Sequence, residues 1–594
     1  MIRALPTATY RLQFNRAFTF ADAVRIVPYL HGLGISHCYV SPLLKARQGS
    51  SHGYDIVDHH ALNPELGSWQ DFENFIGVLH AHDMGLILDI VPNHMGIGGS
   101  DNRWWLDVLE NGQSSRFAHY FDIDWEPESG FLTGKVLLPI LGDQYGVVLD
   151  RGEIKLAYDD GLGSFHVSYH EHLLPVDPKT YPLILSKILN ILTDDPELGK
   201  KQGRRLQYLI ARCKSLPSRK RSGSKKMMLR RQTAEKLKNE LLVFFRDPLT
   251  KKALAGVLSV FNGGQQDKSY DQLHGLLEKQ AYRLAFWRVA ADDINYRRFF
   301  NINSLAGIRM ESQEVFQATH AFILDLIAGD KIQGLRIDHP DGLYYPGKYF
   351  RWLRREIRNH CPDGGRKFYL VVEKILAAGE NLPTLWPVHG TTGYDFAALA
   401  GGLFVRPESR KLITSLYHRF IATGVDFENL LYNTKKFIIR VQLSSELTVL
   451  TNLLKHIAEM QRHTRDFTLN SLREALVEVV ACLPVYRTYI SPAGTRDRDQ
   501  RVINEAVSLA RKKSRAADIS IFDFVSRILL PARSRDGNPG IFHKSLHFAM
   551  KFQQYTAAVM PKALEDTVFY VYNRLISLNE VGSDPRRFGT SLSR

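Results

Sequence analysis

Cysteine is scarce in this chain. Its 594 residues hold four, Cys38, Cys213, Cys361 and Cys482, with no CxxC pair among them. That spacing argues against a disulfide framework or a cysteine-ligated zinc site and suits a reducing cytoplasm. Long apolar runs are missing too. No stretch reaches the roughly 18 apolar residues that a membrane helix needs. The N-terminal MIRALPTATYRLQF lacks the apolar core of a secretion signal. No GxGxxG or GxxxxGK[ST] follows any predicted strand, so the usual phosphate-binding signatures of nucleotide folds are absent and no cofactor is expected.

Acidic residues are in deficit, and the formal net charge is +15. The deficit is local. Residues 200–238 carry fifteen Lys or Arg against one acid, Glu235, for a net +14. Elsewhere the chain is close to neutral, which argues against a nucleic-acid partner. The centre of the segment, SLPSRKRSGSKK (215–226), has the Ser, Pro and Gly of a solvated loop. The segment therefore reads as a mobile surface loop between helices, with an anionic partner as the lesser reading.

Hydrophobic residues make up 44% of the chain and aromatics 11%, enough for a large core. A regular rhythm organises the first hundred residues. TATYRLQF (7–14) reads as a strand and FTFADAVRIVPYLHGLG (18–34) as a helix stopped by glycine. ISHCYVSPL (35–43) is a strand. SWQDFENFIGVLHAHDMG (68–85) is a helix with Ser68 as N-cap and Gly85 beyond its end. LILDIVPNH (86–94) is a nearly continuous apolar run, as in a strand covered on both faces. The rhythm resumes with a helix over 310–330, a strand at GLRIDH (334–339), a helix over 348–361 and a strand at KFYLVVEKIL (367–376). TTGYDFAAL (391–399) reads as the next strand.

Alternating strands and helices specify a parallel sheet covered by helices. A doubly wound sheet and a (β/α)8 TIM-type barrel both fit, and the missing nucleotide motifs favour the barrel. Its parts are residues 1–96, 306–400 and 541–594. Two large, mostly helical inserts interrupt it, at 97–305 (with the basic loop 200–238) and at 401–540.

Ionisable groups crowd the ends of three of these strands. Side chains on a strand alternate with period two, so Arg336 and Asp338 share a face, as do Asp89 and Asn93, and Val371 and Glu373. In a parallel barrel the C-terminal strand ends converge on one mouth. Asp338 and Glu373, 35 residues apart (373 − 338), would stand on neighbouring strands there. Two carboxylates flanking a bond suit glycoside chemistry: one attacks the anomeric carbon, and the other protonates the leaving oxygen and then acts as base. Arg336 would hold Asp338 ionised. Glu373, behind Leu370, Val371 and Val372, would have a raised pKa, with Lys374 facing away. A buried Arg–Asp pair with no chemistry is the plainer reading of GLRIDH alone, and DIVPNH and VVEK weigh against it.

DIVPNH (89–94), GLRIDH and the strand ending in Glu373 resemble, in order, three of the four short regions of the α-amylase superfamily. That resemblance implies Asp338 as nucleophile and Glu373 as general acid/base. Arg336, Asp89, His94 and His339 would surround the reacting sugar. Tyr54 and Asp55, in SHGYD, would supply a stacking aromatic and its neighbour. Asn93 matches a position that ligates calcium in many amylases, but no metal is predicted.

Longer stretches narrow the match. SPLLKARQGSSHGYDIVDH (41–59), WWLDVLENG (104–112), DDINYRRFFNINSLAGIR (292–309), HGTTGYDF (389–396) and EDTVFYVYNRLISLNEVGSDP (565–585) resemble the maltooligosyl trehalose synthases. That family implies intramolecular transglucosylation of a maltooligosaccharide, turning its reducing-end α-1,4 bond into an α,α-1,1 bond. It also implies a maltooligosyl trehalose trehalohydrolase as pathway partner. Trp104, Trp105 and Trp125 are candidates for sugar stacking or for insert core. The resemblance further implies a third carboxylate in a His-Asp pair downstream. The one His-Asp in the chain is His82-Asp83, at a predicted helix end. Ala563, Val571 and Pro561 depart from the family around EDT. The ending FGTSLSR reads as a truncation or frameshift, which would leave the barrel incomplete at its C-terminal strands. An inactive glucan-binding remnant and an amylase-type hydrolase are the alternative readings.

Overall fold

In the computed structural model, six short strands lie side by side, all parallel. β1 (Thr9–Leu12) pairs with β2 (His37–Val40), which pairs with β3 (Gly85–Ile90). β3 pairs with β4 (Gly334–Ile337), β4 with β5 (Tyr369–Val372), and β5 with the two-residue β6 (Gly390–Thr391). Spatial order therefore follows chain order from β1 to β6. A doubly wound sheet reverses its order at a switch point, whereas a singly wound one does not. Among the described residues the sheet is an incomplete barrel of α-amylase type with helical inserts. The described residues are 5–128, 130–193, 199–220, 223–264, 269–361, 368–514, 518–532 and 539–591. Lys367 of the predicted β5, Arg221 and Ser222 of the basic segment, and the terminal residues 592–594 lie outside them.

The covering helices follow from local sequence. α1 (Phe20–Gly32) buries Phe20, Ala23, Val27 and Leu30, a stripe of helical period. The Thr19 N–H donates to Asp22 Oδ2 at 2.8 Å and so fixes its start. α2 (Trp69–Ala81) opens on a reciprocal capping box. The Ser68 N–H donates to Asp71 Oδ2 (2.8 Å) and the Asp71 N–H to Ser68 Oγ (3.2 Å). It buries Phe72, Phe75, Ile76 and Leu79. β3 is buried at all six positions, as its unbroken apolar run requires. α3 (Gln313–Ala328) and α4 (Pro346–His360) flank β4 in sequence.

One expected element differs. The predicted strand over 391–399 survives only as β6, and Tyr394–Gly402 forms helix α5. Gly393, at φ 97°, takes a left-handed conformation that few other residues tolerate and turns the chain out of the sheet.

The chain divides into two compact units. One comprises Met1–Met95, Arg298–Ile302 and Ile308–Arg594, and the other Gly96–Arg297 with Asn303–Gly307. Beyond the sheet, the first unit is largely helical. Helices such as Phe427–Val441, Ser444–Glu459 and Leu469–Cys482 bury Ile438, Leu447, Leu454, Leu476 and Val479 in a shared core.

In the second unit, strand Val136–Leu141 pairs in parallel with Tyr282–Phe286, and three further strands form an antiparallel sheet. Its basic segment is mostly helix, not loop, because Gly199–Ser215 and Ser224–Phe244 are helical. Several of its charges are structural. Arg230 is buried, with Nη2 at 2.6 Å from Asp177 Oδ1 and Nε donating to Asn111 Oδ1 at 3.1 Å. Lys238 pairs with Glu110 at 2.6 Å. Trp105 is buried against Phe121 and Tyr296, and Trp104 stacks on Phe117, so both pack within this unit. Among the described residues no helix is long and apolar enough to cross a membrane.

Candidate active site

The register of the sheet assembles the site. Arg336 on β4 lies opposite Asp89 on β3 and Val371 on β5. One residue past each strand, the Asp338 N–H donates to the Ile90 carbonyl and the Glu373 N–H to the Ile337 carbonyl, both at 2.9 Å. These bonds extend the ladder to the two carboxylates and bring them to one end of the sheet.

Arg336 is the hub. Its Nη1 donates to Asp338 Oδ1 at 2.7 Å and to Asp89 Oδ1 and Oδ2 at 2.9 and 3.1 Å. Its Nη2 lies 2.9 Å from Glu373 Oε1. One guanidinium with 5% of its surface exposed thus binds three carboxylates. Its flat fork of N–H donors is the side chain suited to that task. Burial works against its charge, but Asp89, Glu373 and Asp338 outweigh it and push its pKa well up.

Asp89 is further held by the hydroxyls of Tyr54 (2.6 Å) and Tyr39 (2.9 Å), and by Arg11 at 3.4 Å. Burial raises its pKa despite these partners. Glu373 accepts from the backbone N–H of His339 at 2.9 Å and from the Tyr394 hydroxyl at 3.2 Å. His339 sits at φ 39°, a left-handed conformation uncommon for a non-glycine residue, and it aims that N–H at the carboxylate.

Burial and neighbouring charge act differently on the two carboxylates. Burial, and next the charge of Glu373, push the Asp338 pKa well up, and Arg336 only partly opposes them. Burial alone would raise Glu373 as well, but Arg336 and the His339 N–H outweigh it and leave its pKa lowered. The physical reason is the count of donors. Both share Arg336, but Glu373 also accepts from the His339 N–H and the Tyr394 hydroxyl. Of the influences on Glu373, the apolar wall of β5 is the one the sequence shows, and it does not show the donors from β4 and Tyr394. Lys374 does face away, pairing with Asp341 at 3.1 Å and Glu380 at 3.5 Å.

The remaining predicted residues fall around this centre or apart from it. His94 lies against Phe299 with ring centroids 4.4 Å apart, and Asn93 Nδ2 is 3.4 Å from its Nδ1. His339 packs edge-on against Phe299 (5.2 Å) and against Phe300 (5.3 Å). Asn93 abuts Gly342, where an added Cβ would stand 2.5 Å from its Oδ1. Asp55 is bonded instead to the Ser50 hydroxyl, within the turn that carries Tyr54. Asp341 pairs with Lys374 and accepts from the Tyr489 hydroxyl. Burial would raise its pKa, but Lys374 and Arg487 hold it below the usual carboxylate range. His82-Asp83 sits at the end of α2, with Asp83 exposed at φ 54°.

Several contributors were not foreseen. Arg11 and Tyr39 are register partners on β1 and β2, and period-two reading of those strands places both on one face. The rings of Phe299 and Phe300 lie tilted with centroids 4.2 Å apart, inside a stretch notable in sequence only for its resemblance. Glu565 lies in a π-helical turn, Leu564–Val568, that follows Pro561. It accepts from the Tyr486 hydroxyl, and burial pushes its pKa up to about 7.

A protein-family model described as the catalytic domain of α-amylase matches residues 24–140. A putative maltooligosyl trehalose synthase from Mycobacterium tuberculosis (strain H37Rv) is 31% identical over 591 residues, covering 98% of this chain and 59% of that protein. The maltooligosyltrehalose synthase structure from Arthrobacter ramosus superposes with a TM-score of 0.71 at 31% identity, over 99% of this chain and 60% of that one. A hypothetical maltooligosyl trehalose synthase from Sulfolobus tokodaii gives 0.66 at 29% identity, over 99% and 59%. The chain thus spans about three fifths of the length of these relatives. In sequence and in fold it is a homologue of the maltooligosyl trehalose synthases, built on an α-amylase-type barrel sheet.

Proposed function

We propose that the chain carries the carboxylate pair of an intramolecular transglucosylase acting on α-1,4-glucans, with Asp338 as nucleophile and Glu373 as acid and base. The observation that carries this reading is the single Arg336 guanidinium bound to Asp338, Glu373 and Asp89 at the sheet's C-terminal end. A span of one guanidinium suits a retaining pair, whose carboxyl groups typically stand about 5–5.5 Å apart.

The chemistry runs as a double displacement. Attack requires Asp338 ionised and Glu373 protonated. Asp338 then attacks the anomeric carbon while Glu373 gives its proton to the departing glycosidic oxygen. A glycosyl-enzyme ester and a free glucose result. The glucose turns and attacks through its anomeric hydroxyl, Glu373 takes that proton, and the Asp338 ester breaks. Two inversions give retention and an α,α-1,1 link. Water must be kept out, or hydrolysis results. Phe299, Phe300 and the rings of His94 and His339 supply an apolar wall, and Tyr54 offers a face that suits the C–H side of a sugar.

The proposed setting is a reducing cytoplasm, consistent with four scattered cysteines and no CxxC pair. A trehalose-releasing hydrolase of the product is the proposed pathway partner. The test is incubation with maltopentaose and analysis of the products. A non-reducing product of unchanged mass, lost in Asp338→Asn and in Glu373→Gln, supports the proposal. Glucose with shorter maltodextrins would make the chain a hydrolase. No turnover, and no change in glucan binding in either variant, would sink the assignment of these residues.

A further inference from the structure

Helix α6 (Arg410–Phe420) carries its polar groups in an ordered array. Arg410 and Lys411, Thr414 and Ser415, His418 and Arg419 recur in adjacent pairs at four-residue spacing. They therefore form two neighbouring rows on one helix face. All six line an open pocket of about 1030 Å³, and Arg574 lines it from another segment of the same unit. Among the described residues, none of its ten lining side chains is acidic.

Two of the pocket's lining residues carry buried nitrogens without a hydrogen-bond partner among the described residues. Arg574 keeps only 9% of its surface exposed. Its Nη1 donates to Thr414 Oγ1 at 3.2 Å and its Nη2 to the Pro585 carbonyl, yet its buried Nε has no hydrogen-bond partner among the described residues. The buried Nε2 of His418 lacks one as well. Native proteins seldom leave such groups unmatched unless a ligand or water completes them. Burial and the charge of Arg410 also hold the Arg574 guanidinium below its usual pKa, a cost that a nearby anion would reverse. A neutral glucan has no use for this density of cations. Guanidinium forks, an ammonium and hydroxyls around one space match the several oxygens of a dianion. The volume exceeds what inorganic phosphate alone would fill.

We propose that this pocket binds a small phosphate monoester, with Arg410, Lys411 and Arg419 holding the phosphate from helix α6 and Arg574 from beneath. Binding is read without turnover, so its outcome is independent of the glycosyl-transfer assignment. Inorganic phosphate, glucose 6-phosphate and, as neutral control, glucose are titrated calorimetrically into the full chain at low ionic strength. Saturable binding of both phosphates and none of glucose is expected. Arg410→Gln/Arg419→Gln, both exposed positions, should weaken the phosphates roughly tenfold or more with an unchanged melting temperature. Tighter binding of the monoester would show that the pocket also reads the organic group.

Lys225→Gln/Lys226→Gln/Arg231→Gln, in the other basic segment, should change nothing. The proposal is overturned by equal affinity in the Arg410/Arg419 variant. It is also overturned by loss confined to the Lys225/Lys226/Arg231 variant, or by no saturation below about 10 mM.

Discussion

Replacing Arg336 with Gln tests whether one cation holds three buried acids together. The guanidinium lies 2.7 to 3.1 Å from oxygens of Asp338, Asp89 and Glu373. Its loss leaves buried charge uncompensated, which typically costs about 3–5 kcal/mol. The pH dependence identifies the cause. Without the cation the folded-state pKa values of Asp338 and Asp89 rise further above their unfolded value of roughly 4, and Glu373 loses the partner that lowers its own. The folded variant then binds more protons than the unfolded chain, so its deficit is complete well above those raised values and shrinks as pH falls toward 4. Urea unfolding of wild type and Arg336→Gln at pH 8 and pH 4.5 measures both ends. The expected deficit is about 3–5 kcal/mol at pH 8 and under half of that at pH 4.5. Arg336→Lys, which keeps the charge but loses the fork, should fall between. An equal deficit at both pH values, or one below about 1 kcal/mol at pH 8, would refute the electrostatic reasoning.

Further outcomes follow from other groups. Glu565 has a folded pKa of about 7 against an ordinary 4.5, so its ionisation costs at most roughly 3 kcal/mol (7 − 4.5, at 1.36 per unit). That stability is present below pH 4.5 and lost as pH rises through 7. Glu565→Gln should therefore flatten the stability profile between pH 5 and 8 in denaturant titrations. His59 and His320 are buried, and burial first of all lowers their pKa values to about 3 and about 4. Their contribution is present above an unfolded pKa of roughly 6.5 and is lost as pH falls through 4. Acid unfolding monitored by circular dichroism should be less steep in His59→Phe. Gly342→Ala would place a Cβ 2.5 Å from both Asn93 Oδ1 and His339 Cδ2. A stability loss of about 1–3 kcal/mol should accompany lowered turnover, and full activity would show that Asn93 and His339 need no fixed place.

Much of the scaffold was legible because it rests on short-range rules. The capping box at Ser68, the apolar stripes of α1 and α2 and the buried run of β3 each follow from spacing along one segment. Period two placed Asp338 with Arg336, and strand order then placed Glu373 beside them. The electrostatics were less legible. Sequence assigned Arg336 to Asp338 as a neighbour two residues away, but the guanidinium spans three strands and reaches Glu373 as well. The left-handed turn at His339 adds a backbone donor that no residue type announces. Both effects lower the Glu373 pKa against the burial that raises it, and neither follows from the residues beside it in sequence. Arg336 and the His339 N–H both oppose protonation of Glu373, and both reach it from outside its own strand.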